Sequence, residues 1–334
     1  MQLFNLQNKN IALSLTNLGA AIQTLCVPDR VGRPVNVVAG FNDISRYGDN
    51  PDYLGCIVGR CVNRIDSGRL RIDGTTYQLT LNEDGNHLHG GFEGFSKKVW
   101  TVKESTNHSL LLEYYSPDGE EGYPGNLHVT VHYALKDNAL EIRYTAETDK
   151  PTPVNLTNHT YFNLTGFTDP LVTNHELKVN AREYSEKNLR NLPTGRLLPV
   201  ADTPLDFKNP QCIGKNIDAF PRDHGYDHNF VLDRPHDGPA LRAVGAVPAA
   251  ELYDPTSGRL LTVFTDQPCL QVYTANWWTG AAKGPQGVDY VQHGAVALET
   301  QNFPDAPNHG AFPSGILRPG SLYKSTTIFE FGTK

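Results

Sequence analysis

The sequence predicts an all-β fold, a large antiparallel β-sandwich with only short helices, and three observations carry that expectation. Apolar and polar residues alternate over short runs along the whole chain, the period of a half-buried strand. Amphipathic runs at helical spacing stay short, the best being pieces at 43–47 and 215–220. The 30 glycines and 23 prolines are dispersed over 334 residues, so turn signals recur too often for long helices.

The elements follow in order. Ile11, Leu13 and Leu15 alternate, and Ala20 and Ile22 resume the pattern after a turn at Asn17-Leu18-Gly19. Leu70-Arg71-Ile72-Asp73-Gly74-Thr75-Thr76-Tyr77-Gln78-Leu79 reads as a hairpin, because Asp-Gly supplies the positive φ angles of a two-residue turn. Further strands are expected at 99–102, 110–115 and 127–135, the last with Leu127, Val129, Val131 and Tyr133 on one face. Lys136-Asp137-Asn138 turns the chain into 139–146, where Leu140, Ile142 and Tyr144 alternate. The second half continues in the same style at 176–179, 260–265, 270–273, 296–298 and 325–331. No linker, composition shift or fixed-period repeat divides the chain, so residues 1–334 are expected to form a single domain.

Composition excludes several function classes. The 29 Lys+Arg against 36 Asp+Glu give a net charge of −7, and no long basic run interrupts it, which argues against nucleic acid as a partner. Met1-Gln2-Leu3-Phe4-Asn5-Leu6 has neither a basic n-region nor a long apolar stretch, so a cytoplasmic protein with no membrane span is expected. Five cysteines without a Cys-x-x-Cys read as reduced, separately packed thiols rather than a Cys56–Cys61 disulfide. Without a secretion signal the sequons at Asn107, Asn155 and Asn163 carry no weight. There is no Gly-x-Ser-x-Gly elbow, P-loop, Gly-x-Gly-x-x-Gly or His-Glu-x-x-His.

Six clusters carry candidate chemistry. In Gly59-Arg60-Cys61-Val62-Asn63-Arg64-Ile65, Arg64 can present its planar fork to sugar hydroxyls or a carboxylate, or serve in a structural salt bridge. In Asn86-His87-Leu88-His89-Gly90-Gly91-Phe92-Glu93, a His-x-His strand would put both rings on one face, the seed of a cupin-like metal site with Glu93. Alternatively, the Gly-Gly pair bends the backbone so that one His faces a cleft. Pro153-Val154-Asn155-Leu156-Thr157-Asn158-His159-Thr160-Tyr161-Phe162-Asn163-Leu164 reads as an alternating strand forming a polar cleft floor, or as a surface strand with a satisfied histidine. Gly225-Tyr226-Asp227-His228 offers a carboxylate at a strand start, or an Asx turn. Gln271 and Tyr273 share a face ahead of Trp277-Trp278, of which at least one must be packing. Last, Glu299 ends the apolar run Val296-Ala297-Leu298 and precedes a rigid Pro-Asp-Ala-Pro-Asn-His loop. A carboxylate there is costly unless paired or used.

The order of these clusters is specific. Asn-Arg-Ile, Leu-His-Gly-Gly, Thr-Asn-His-x-Tyr-Phe-Asn-Leu, Tyr-Asp-His and Leu-Glu-x-x-x-x-Pro-Asp-x-Pro-Asn-His together resemble the aldose 1-epimerase, or galactose mutarotase, family from about Gly19 to Gly320. Gly119-Glu120-Glu121-Gly122-Tyr123-Pro124-Gly125 and Leu317-Arg318-Pro319-Gly320 point toward its bacterial members. The resemblance implies Glu299 as general base, His159 as general acid, and His89 beside the sugar. It implies Asn63, Arg64, Asp227 and Gln271 as sugar-binding residues. The reaction it implies interconverts α and β anomers of free aldohexoses such as galactose and glucose. The base takes the anomeric hydroxyl proton, the acid protonates the ring oxygen, and the opened chain recloses on its other face. A carboxylate and an imidazolium on opposite sides of the sugar would suit this chemistry, with no metal and no cofactor. The expected partner is a small-molecule aldose, and the protein a monomer or homodimer. Three rivals stand beside this reading: a non-catalytic sugar-binding sandwich, a cupin-like metal enzyme using His87, His89 and Glu93, and an epimerase of hexose 6-phosphates. The last should carry basic residues beyond Arg60 and Arg64.

Overall fold

The computed structural model describes residues 1–233, 247–285 and 287–334. Two large antiparallel sheets face each other. The larger has nine strands, in the order Thr101–Ser105, Ser109–Ser116, Leu127–Lys136, Ala139–Thr148, Tyr323–Thr333, Arg259–Thr265, Ala250–Tyr253, Glu176–Val179 and Gln211–Cys212. The second has six: Tyr161–Phe162, Val296–Gln301, Cys269–Tyr273, Asp227–Leu232, Ala181–Lys187 and Pro193–Pro199. Leu3–Gln7, Ala12–Thr16, Ile22–Pro28 and Pro34–Asn36 make a separate four-stranded sheet. Among the described residues the helical pieces are all 3₁₀ turns, the longest being Ile213–Ala219.

The main core lies between the two large sheets, as a sandwich requires. The nine-stranded sheet contributes Leu127, Val129, Val131, Tyr133, Ile142, Val263 and Phe329. The six-stranded sheet contributes Phe230, Leu270, Val272, Val296 and Leu298, and Leu13, Leu15 and Ile22 join from the N-terminal sheet. Phe162 and Phe329 meet across the gap with ring centres 5.1 Å apart. Asp73 and Gly74 adopt φ of 50° and 85°, the geometry the Asp-Gly hairpin demands, between Arg69–Ile72 and Thr75–Gln78.

Three sequence expectations are corrected. The strand at 296–298 runs on through Glu299 to Gln301, so the carboxylate sits inside the strand rather than at its end. The 153–164 segment is not one strand. Thr157–Asn158 pairs with Ile57–Val58, the chain breaks at His159-Thr160, and Tyr161–Phe162 pairs with Val296 and Ala297. The His-x-His segment is extended only over His87–Leu88, because His89 turns to φ 52°. Its two rings therefore part company.

Strands at Leu3–Gln7, Ala181–Lys187 and Pro193–Pro199 lie outside the expected set. Pro193–Pro199 is flanked by proline and contains Gly195. It pairs only with Ala181–Lys187, the edge position where proline in a sheet is tolerated.

Candidate active site

The six-stranded sheet positions the site through its two-residue period. Residues on one face of its strands enter the main core, and the alternate residues form a second, largely polar face. On that face Asn229, Gln271 and Glu299 are register partners on three adjacent strands and form a row. Asp227 and Tyr273 occupy the next row on one side, opposite Ala297. Cys269 and Gln301 occupy the row on the other side, and Gln301 Nε2 donates to Asn229 Oδ1 at 2.9 Å.

Glu299 is 2% exposed and His159 4%. Their side chains meet with Nε2 and Oε1 3.5 Å apart. The expectation of acid and base on opposite sides of a sugar is therefore corrected: both belong to one wall. His159 is pinned through its main chain, whose N–H donates to Cys56 O at 2.8 Å and whose carbonyl accepts from Gly55 N–H at 3.0 Å. Its ring is enclosed by those of Tyr53, His89 and Tyr161, with centres 6.0, 5.4 and 4.8 Å away. Glu299 Oε2 and His159 Nδ1 have no hydrogen-bond partner within the described protein. Leaving buried polar atoms unpaired costs stability, and such strain concentrates where a ligand or a proton is to be handled.

Burial shapes the electrostatics of the pair. It pushes the Glu299 carboxyl well above its ordinary range, with the charge of Asp227 adding to the effect. It also pushes the His159 imidazole down to about 4, against the pull of its own backbone and of Asp227. Both groups are thus driven toward their neutral forms. The two groups are close enough to titrate as a coupled pair.

His89 enters from a different part of the chain. Gly90 follows it at φ 90°, where a Cβ would lie 1.8 Å from Gly59 O, so only glycine permits this close approach. The Glu121 carboxylate secures the loop by accepting from the N–H groups of Phe92 and Glu93 at 3.2 and 2.8 Å. His89 Nδ1 accepts from Asn63 N–H at 3.2 Å, which leaves the proton on Nε2. Burial holds the ring well below the usual histidine range, aided by the neighbouring His159, Arg64 and His87, so His89 is a neutral donor.

Asn63 begins a polar relay. Its Nδ2 donates to Gln271 Oε1 at 3.3 Å, and Gln271 Nε2 donates to Asp227 Oδ1 at 2.5 Å. Burial raises the Asp227 carboxyl, but Lys187, Arg64, His228 and the Gln271 hydrogen bond outweigh it, and the net effect is a lowered value. Asp227 is therefore an anion at neutral pH. Arg64 gives Nε to Glu83 Oε2 at 2.8 Å and Nη2 to the other oxygen of the same carboxylate. A cleft of about 310 Å³ is lined by Asn63, Arg64, Ser185, Lys187, Asn191, Pro193, Asp227, Asn229, Gln271 and Pro304. Asn63 and Gln271 tie it to His89 and to the Glu299 strand respectively.

All seven sequence-selected residues thus converge: Asn63, Arg64, Asp227 and Gln271 line the cleft, and His89, His159 and Glu299 lie beside it. Tyr53, Glu83, Ser185, Lys187, Asn191 and Asn229 were not singled out. Asn229 was within reach, because it falls two residues after Asp227 on the same strand.

Other candidates are placed elsewhere. Arg60 is 1% exposed and spends its guanidinium on Ser116, Pro117, Pro124 and Thr152. His87 donates from Nδ1 to Thr80 O at 2.8 Å and accepts at Nε2 from Tyr123 O–H at 2.7 Å, while Glu93 pairs with Lys98. The cupin-like triad does not converge. Trp277 is exposed against His224, and Trp278 packs on Tyr161 and Tyr290 behind the site. All five cysteine thiols are free, including Cys56 and Cys61.

Comparison with known proteins decides the family. The family model described as Aldose 1-epimerase matches residues 2–330. The chain belongs to the aldose 1-epimerase family. It is 40% identical over 328 residues to a galactose mutarotase of Rattus norvegicus, covering 98% of this chain and 93% of the relative. It is 35% identical over 331 residues to an aldose 1-epimerase of Escherichia coli K12, covering 97% and 93%. These two identities do not favour the expected leaning toward bacterial members. Among solved structures, an aldose epimerase homologue from C. elegans superposes with a TM-score of 0.91 at 29% identity, covering 99% of both chains. A galactose 1-epimerase from Lactobacillus acidophilus gives 0.82 at 28% identity, covering 98% of this chain and 93% of the other. As an aldose 1-epimerase family member, the chain is an isomerase acting on carbohydrates, and its substrate is a small-molecule aldose. No helix among the described residues is long and apolar enough to cross a membrane.

Proposed function

We propose that this protein interconverts the α and β anomers of free aldohexoses such as galactose and glucose, with Glu299 as base and His159 as acid. The observation that supports this most directly is the buried pair itself. A carboxylate and an imidazole stand 3.5 Å apart, each with an unpartnered atom, beside a cleft of about 310 Å³. Its lining of amides and charged side chains suits the hydroxyls of a sugar.

The reaction needs two proton transfers at adjacent oxygens. Glu299 takes the proton of the C1 hydroxyl as the C1–ring-oxygen bond breaks and C1 becomes a carbonyl. His159 protonates the departing ring oxygen. Rotation about C1–C2 presents the other carbonyl face, and reclosure returns each proton by the reverse route. Neighbouring groups on one wall serve this better than groups on opposite sides, because the hydroxyl and ring oxygens share one carbon. The pair passes between carboxylate–imidazolium and carboxylic acid–imidazole without changing its total proton count. A dry site brings those two states closer in energy, because burial disfavours the charged one. His89 donates from Nε2 to the sugar, and Asn63, Arg64, Asp227 and Gln271 hold its hydroxyls.

All of these groups come from one continuous domain, so the chemistry needs no second chain and no cofactor; monomer and homodimer would serve equally. The free thiols support a cytoplasmic location. The test is polarimetry of freshly dissolved α-D-galactose and α-D-glucose with EDTA present. Rotation should reach equilibrium far faster than in buffer alone. A protein that binds either sugar but leaves the spontaneous rate unchanged would be a sugar-binding module instead.

A further inference from the structure

The cations that line the cleft are already occupied from outside it. Of its lining residues two are cationic, Arg64 and Lys187, and one is anionic, Asp227. Taken alone they would give the cleft a formal charge of +1 and an attraction for anions. Two carboxylates that do not line the cleft reverse this. Glu83 grips Arg64 through Nε at 2.8 Å and through Nη2. Asp223 receives Lys187 Nζ at 2.9 Å, and the same ammonium donates to Asp227 O at 2.9 Å with Asp227 Oδ2 3.9 Å away. Among the described residues, two cations against three carboxylates leave the region at a formal −1. The lysine has three donor hydrogens, and two are consumed by these contacts. All five side chains are largely buried, so mobile salt screens them less than it would a surface pair.

We propose that Glu83 and Asp223 are specificity-determining residues: by occupying Arg64 and Lys187 from behind, they make the cleft accept neutral aldoses and reject sugar phosphates and sugar acids. The inference rests on the function proposed above and extends it to the charge of the substrate. Without these carboxylates, Arg64 and Lys187 would both be free to take an anion entering the cleft they line. With them, an incoming phosphate would have to displace a carboxylate already in place, while a hydroxyl can still use the remaining guanidinium N–H groups.

The test compares turnover of glucose with that of glucose 6-phosphate in the wild type, Glu83→Gln, Asp223→Asn and the double variant. The amides keep size and hydrogen bonding but remove one charge each. The ratio of kcat/KM for glucose 6-phosphate to that for glucose should rise about tenfold or more in each single variant and further in the double one, since one partly buried charge term readily exceeds a factor of ten. A ratio unchanged in variants that still turn over glucose would overturn the inference. A wild type that handles both sugars equally would do the same. A measurement independent of any variant uses inorganic phosphate on the wild type. Glucose turnover should be insensitive to it, and competitive inhibition would count against the proposal. Failure of the wild type on neutral sugar would instead reject the underlying function, so the two failures are distinguishable.

Discussion

Replacing Glu299 with Gln removes the ionisable carboxyl and one proton-accepting atom while leaving the strand intact. The residue sits mid-strand between Leu298 and Thr300, its main chain is committed to the ladder with Cys269–Tyr273, and the amide has the same size. Loss of a positioned general base typically costs 10²–10⁴ in rate, about 2.7–5.4 kcal/mol at 1.36 kcal/mol per tenfold. Stability should move the other way. A carboxyl raised by burial contributes stability below its ordinary value of 4.5, and that contribution is lost as pH rises through the folded value. At pH 7 to 8 the wild type bears that cost and the Gln variant does not. Polarimetry on α-D-galactose should therefore show a loss of at least a hundredfold after subtraction of the spontaneous rate, with galactose binding still measurable by calorimetry and Tm unchanged or higher. A variant within tenfold of wild type refutes the base assignment. A large fall in Tm with activity per folded molecule retained would make Glu299 a structural residue.

Further outcomes follow from the same geometry. The reaction needs the pair to carry a single proton, and with His159 taken down to about 4 by burial a second proton is gained only near pH 4, so the low-pH limb of kcat/KM should fall there rather than at the ordinary 6.5; a limb at 6.5 would mean that His159 titrates as an open histidine. In stability the lowered His159 contributes fully above 6.5, and that share is lost as pH falls toward 4. The raised Glu299 acts in the opposite sense, so the two slopes offset between about 4.5 and 6.5. His159→Asn leaves the Glu299 slope alone, so its Tm should decline relative to wild type as pH rises through that window, besides a loss of activity comparable to Glu299→Gln. Asp227→Asn removes a charged acceptor worth about 1.5–3 kcal/mol, so KM should rise roughly 10- to 150-fold with a smaller change in kcat; a kcat effect alone would deny it a binding role. Gly90→Ala places a methyl 1.8 Å from Gly59 O and should lower both Tm and activity, because the loop carrying His89 must shift. An active, fully stable Gly90→Ala variant would show that His89 placement is not critical.

The sandwich was legible because each long strand carries its own two-residue pattern. Leu127 to Tyr133 alternates whatever the remainder of the chain does, and Asp73-Gly74 specifies its turn locally. The site was legible in residue identity through its motif order, but not in geometry. Nothing local marks His159 as a break between two partners, because that break is imposed by Ile57–Val58 on one side and Val296–Ala297 on the other. Glu83 and Lys187 escaped notice for a related reason: exposed charges look alike in a sequence, and only the fold brings these two to the cleft. Pro193–Pro199 was hidden by its prolines, which an edge position tolerates and a pattern search penalises.

The short pairing of Tyr161–Phe162 with Val296 and Ala297 has a further consequence. It links the histidine, two residues before Tyr161, to the glutamate, two residues after Ala297, through one stretch of ladder. Strand register admits only whole-residue steps of about 3.3 Å, and a single step also turns every side chain to the opposite face. Glu299 would then point into the sandwich interior. The separation of acid and base is thus a discrete quantity rather than a tunable one. Repacking around the site can alter angles and hydration, but the spacing itself either holds or is lost altogether. Variation among functioning versions of this chain should accordingly be refused in the hydrogen-bonded pairs that set this spacing.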